Sequence, residues 1–113
     1  MLTLDALRAY GADTADGLSR CMNMEEFYLR MVGKAMDDPY FEKLSAAIRG
    51  GDLTAGYEAA HSLKGSMGNL SLTPIEKPVT EMSDHLKHGD EMDYLPLLEE
   101  VEKQLAALRA LRG

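Results

Sequence analysis

The chain has 113 residues, 45% of them apolar, and a formal net charge of −7 at neutral pH. That is one domain's worth of sequence with an ordinary apolar content, so neither a disordered nor a multi-domain chain is expected. An acidic chain without a basic stripe is not a general nucleic-acid binder, and no run of roughly eighteen apolar residues is available to span a membrane.

Apolar residues recur at spacings of three and four, not two, which predicts an all-helical chain. A short helix is expected from about Leu2 to Ala9 and another around Thr14 to Cys21. Asn23 then reads as an N-cap, with Glu26 three residues on as its capping-box partner. The helix after it has the apolar stripe Phe27, Met31 and Ala35 and should end near Asp37, ahead of Pro39. Asp38 caps the next helix, Pro39 takes its first position, and Phe41, Leu44 and Ile48 form its stripe. Gly50 and Gly51 end it.

Asp52 caps the most informative helix. Its stripe is Leu53, Tyr57, Ala60, Leu63, Met67 and Leu70, and it stops near Ser71. Thr73, Pro74 and Glu76 then supply an N-cap, a first position and a capping-box partner for a helix with the stripe Ile75, Val79, Met82 and Leu86. Pro78 removes one hydrogen bond from that helix, so a kink is expected there. Gly89 ends it, and Asp90 is read as the cap of a last helix carrying Leu95, Leu98, Val101, Leu105 and Leu108. Short connections at 50–52, 71–73 and 89–90 imply antiparallel neighbours. The expected architecture is therefore an up-and-down antiparallel four-helix bundle over about 39–112. Residues 1–23 form a short helical cap across one end, within a single domain spanning 1–113. The eight methionines suit gap-filling in its core.

The single cysteine, Cys21, permits no internal disulfide. Asp5 and Arg8 interrupt Met1 to Tyr10, which does not read as a signal peptide, and a cytoplasmic setting is expected.

On a helical wheel His61 lies about 100° from Ala60, at the edge of the core stripe. Lys64, Gly65 and Gly68 follow at i+3, i+4 and i+7 and share its face. A glycine inside a helix costs about 1 kcal/mol relative to alanine, so two of them beside a histidine call for a reason. Bare backbone leaves the imidazole uncovered and lets another surface approach. Lys64 can offset negative charge bound to the ring, and a neutral imidazole is a competent nucleophile near neutral pH. Taken one at a time, the same residues have plainer readings as a packing histidine, a solvated lysine and close-packing glycines.

The segment Ala60-His61-Ser62-Leu63-Lys64-Gly65-Ser66-Met67-Gly68-Asn69-Leu70 resembles the signature of histidine phosphotransfer (HPt) domains. The resemblance runs over roughly residues 24 to 110 and is strongest at 59–72. It implies a helical bundle that takes a phosphoryl group on His61 from the aspartate of a receiver domain and passes it to another receiver. By the same resemblance Lys64 and Gly65 match the charge-offsetting and clearance positions, and Asn69 one that supports the helix end. The implied partners are response-regulator receiver domains and a hybrid sensor histidine kinase, with no nucleic acid and no membrane. No cofactor is implied on this chain, Mg2+ being expected on the receiver. Ser71, where a glycine is common, and Pro78 depart from the pattern. The sequence has neither a P-loop nor a glycine-rich kinase loop, so it is expected to be a phosphocarrier and not an enzyme.

Three other readings compete. Glu58-x-x-His61 has the spacing of di-iron carboxylate bundles, and His85-x-x-His88 with Asp84 and Asp90 offers further ligands, but only one Glu-x-x-His unit is present. A helical adaptor without phosphoryl chemistry is a second, and the phosphotransfer domain of a chemotaxis-type kinase, normally fused to that kinase, a third.

Overall fold

The computed structural model describes all 113 residues and is built only of helices, seven in number. They are α1 (Leu4–Tyr10), α2 (Thr14–Arg20), α3 (Glu25–Ala35), α4 (Tyr40–Gly50), α5 (Leu53–Asn69), α6 (Thr73–His88) and α7 (Leu95–Ala110). Tight reversals join α4 to α5 and α5 to α6, so α5 lies between antiparallel neighbours, and α7 packs on α6 and closes against α4. The result is the expected up-and-down bundle. No helix is long and apolar enough to cross a membrane.

The turns follow local chemistry in several places. Gly51 and Gly89 close α4 and α6 in the left-handed conformation (φ 77° and 70°). The Asp52 carboxylate accepts the Ala55 N–H at 3.1 Å and starts α5. The Asp38 carboxylate accepts the Tyr40 N–H at 2.9 Å, although Pro39, expected at the first helical position, stands in the cap position and α4 begins at Tyr40.

Other starts differ from the expectation. Asn23 is not an N-cap: it and Met22 both take positive φ (57° and 55°) in a reversal after α2. α3 starts after Met24 without a side-chain cap. Its buried residues are Tyr28, Val32 and Ala35, so the stripe lies one residue on from Phe27 and Met31. Thr73 is the first residue of α6 and not its cap. Asp90 does not cap α7 either. Its carboxylate is held by His85 Nδ1 at 2.7 Å, and the chain runs on to Asp93, which accepts the Leu95 N–H at 3.0 Å. Pro96 explains the delay, because a helix begun near 91 would place that proline in its interior, short of a hydrogen bond. α6 runs through Pro78 without interruption, and Pro78 itself is buried.

One continuous apolar cluster runs through the bundle and takes in Leu7, Ala12 and Cys21 from the N-terminal segment. α1 and α2 sit at the end where α5 finishes. There the Tyr28 hydroxyl donates to the Leu70 carbonyl at 2.9 Å, and the Asp13 N–H donates to the Ser71 carbonyl at 3.0 Å. Ser71 takes a left-handed φ of 54°, the conformation for which glycine is the usual residue. Its hydroxyl donates to the Asp16 carboxylate, which helps hold that carboxyl below the usual range. Arg112 clamps the other side of this end with two 2.9 Å bonds to Asp37. The outward face of α5 around His61 and Gly65 is left exposed.

Candidate functional site

α5 buries Gly56, Ala59, Ala60, Leu63 and Met67 and turns His61 outward. Leu53, expected in the stripe, is 42% exposed at the start of the helix. The His61 ring stacks on Tyr57, one turn earlier, with centroids 5.6 Å apart and planes 29° from parallel. That contact fixes one side of the imidazole and leaves its edge to solvent. The other two histidines are engaged: His85 Nδ1 with Asp90, and His88 Nδ1 with the Asp84 carbonyl, each at 2.7 Å.

The neighbours of His61 divide into two groups. Gly65 is exposed, and a Cβ built on it would meet no atom within 4 Å. It is open backbone one turn along from the imidazole. Gly68 is half-buried, and a Cβ there would lie 3.3 Å from Glu76 Oε1 of α6. Gly68 therefore sits under a side chain of the neighbouring helix and not in the clearing beside His61. Lys64 also leans toward α6, with Nζ 3.5 Å from Asp84 Oδ1.

On the opposite flank of α5 an open groove of about 510 Å3 lies between Ser62, Ser66 and Asn69 on one side and Lys34, Pro39 and Tyr40 on the other. Asn69 is exposed along this groove, and Leu70 forms the C-cap. The metal-site reading finds no matching geometry: no three His, Cys, Asp or Glu side chains converge anywhere in the structure. Glu58 is exposed on the surface of α5.

A family model described as Hpt domain matches residues 34–111. The chain belongs to the Hpt domain family. The match takes in α4 to α7 and the whole of the His61 segment, and leaves α1 and α2 outside it. Searches of curated proteins and of solved structures returned no match. Hpt domains are histidine phosphotransfer modules of phosphorelays and partner receiver domains; they carry phosphoryl groups and are not kinases.

Four residues around the Hpt histidine segment have roles that spacing alone does not reveal. Tyr57 falls in the core stripe by its spacing, but its i, i+4 relation to His61 also puts the two on one surface. Asp84 and Glu76 approach α5 from another helix, and nothing in one sequence marks such a pairing. Gly56 is the fourth. A Cβ there would lie 2.9 Å from Ile48 Cδ1, so this glycine serves close approach of α4 to α5.

Proposed function

We propose that His61 is the phosphoryl acceptor of this Hpt domain, and that the protein relays the group between the aspartates of two receiver domains. The observation that carries the reading is an exposed imidazole, stacked on Tyr57, next to the open backbone of Gly65 in the segment with the Hpt signature. Phosphoryl transfer depends on alignment and charge stabilisation more than on covalent chemistry from the protein, so a clear in-line approach is what the carrier must supply.

In the forward step the Nε2 lone pair of neutral His61 attacks phosphorus. The P–O bond to the receiver's aspartate breaks, and its electron pair leaves on the carboxylate. Nδ1 keeps its proton through the step, and the ring charge is balanced by the phosphoryl oxygens. The return step reverses these changes with a second receiver's carboxylate as nucleophile. Tyr57 orients the ring, Gly65 gives the receiver room, and Lys64 supplies a cation within reach of the oxygens. Mg2+ and the remaining catalytic groups belong to the receiver in this scheme, and the phosphoryl group reaches the first receiver from a hybrid sensor kinase. Gly68 has a packing role under Glu76. A cytoplasmic setting is part of the proposal, in keeping with a single buried cysteine.

The test is transfer from a phosphorylated receiver. The protein is expected to take up acid-labile, base-stable label, and His61→Gln to take up none, while His85→Gln and His88→Gln label normally. Label persisting in His61→Gln would refute the site.

A further inference from the structure

Lys64 follows His61 by three residues, so the two side chains leave α5 as neighbours with Cβ atoms about 5–6 Å apart. The Lys64 ammonium nevertheless rests on α6, 3.5 Å from Asp84 Oδ1. Both side chains are about half exposed, at 42% and 56%. Such a pair is weak and the lysine stem is flexible, so the ammonium can be drawn away by a stronger anion.

We propose that Asp84 is a positioning residue which competes with a phosphoryl group on His61 for the Lys64 ammonium, and so limits how firmly the carrier holds its cargo. The inference rests on the phosphocarrier reading. In the unmodified protein Lys64 rests on Asp84. A phosphoryl group on Nε2 brings nearly two negative charges and three acceptor oxygens to the same lysine. Lys64 then exchanges a single carboxylate for the phosphoryl oxygens, and the free energy of the Asp84 pair is subtracted from the gain. When the group moves on to a receiver, Asp84 takes the ammonium back. A relay benefits from this arrangement, because a phosphohistidine held too tightly is not passed forward.

Neutralising Asp84 should therefore lengthen the life of the phosphohistidine. The effect of one exposed pair is about two- to fivefold. Direct repulsion of the phosphoryl group by Asp84 would instead change the lifetime whether or not Lys64 is present, so the two causes are separated in a double-mutant cycle.

The protein and its Asp84→Asn, Asp84→Glu, Lys64→Met and Lys64→Met/Asp84→Asn variants are charged with phosphoramidate, freed of donor, and followed for loss of phosphoryl label from His61. Asp84→Asn is expected to hold the label about two to five times longer than wild type, and Asp84→Glu to return to the wild-type lifetime. In the Lys64→Met background the Asp84→Asn substitution should have no effect. Equal lifetimes in wild type and Asp84→Asn would overturn the inference, as would an Asp84→Asn effect that persists without Lys64. Failure of every variant, wild type included, to label His61 would instead overturn the phosphocarrier reading. Melting curves guard against a trivial cause, and the exposed Asp84 side chain should leave them unchanged.

Discussion

Gly65 allows stability and function to be moved in opposite directions by one substitution. In Gly65→Ala the added Cβ enters open space, because no atom lies within 4 Å of its position. The helix therefore gains the full propensity difference between glycine and alanine, about 1 kcal/mol, with no clash to set against it. For a domain of this size that gain raises the melting temperature by about 4 °C. Gly65→Gln adds a side chain long enough to reach over the His61 edge, and misplacement of the incoming group by about 1 Å can slow transfer on the order of a hundredfold. Thermal unfolding followed by far-UV circular dichroism gives the first quantity, and the rate of label uptake from a phosphorylated receiver gives the second. Gly65→Ala should be more stable than wild type, and Gly65→Gln should transfer at least tenfold more slowly while remaining folded. A destabilised Gly65→Ala, or a Gly65→Gln that transfers at the wild-type rate, would refute the claim that this glycine is there for the partner.

Gly17→Ala should behave in the opposite way, because its Cβ would lie 2.6 Å from the ring of Tyr28, itself anchored through its hydroxyl; denaturant titration should show a loss of about 1–3 kcal/mol. Ser71→Ala removes the hydroxyl bond to Asp16 but keeps a left-handed φ of 54°, whereas Ser71→Gly relieves the backbone as it removes the bond. Ser71→Gly should thus be the more stable of the two, by about 1 kcal/mol in the same titration. Burial pushes the Tyr28 hydroxyl up to about 12 from an ordinary 10.0, so the folded state holds this proton after the unfolded chain has lost it. Stability should therefore fall as pH rises from 10.0 toward about 12. Tyr28→Phe should flatten that slope while losing about 1–2 kcal/mol at neutral pH through the orphaned Leu70 carbonyl. An unchanged slope would show that Tyr28 ionises without unfolding cost.

The parts of the fold that could be read directly were those set by local chemistry. Asp52 as a cap, the left-handed Gly51 and Gly89, and the spacing from Ala60 to Leu70 all act within a few residues of themselves, and all hold in the structure. Two of the misreadings, Asp90 and Asn23, share one cause: a residue suited to a local role was recruited elsewhere. Asp90 has the chemistry of a cap but is held by His85, and Pro96, four residues after Met92, marks where α7 can start. Asn23 can cap, but it also tolerates the left-handed conformation that the reversal at Met22 requires. Around the site the same division holds. His61 and Gly65 were legible because their positions on α5 decide their exposure. Gly68 and Lys64 were legible only by type, because α6 decides where Glu76 and Asp84 meet them.

Correlated phosphorus–proton NMR of the phosphorylated protein shows most directly which nitrogen receives phosphorus. One phosphorus signal is expected, coupled to the ring protons of His61 in the pattern of an Nε2 adduct. A signal coupled to His85 or His88, or phosphorus on no histidine at all, would contradict the assignment to His61.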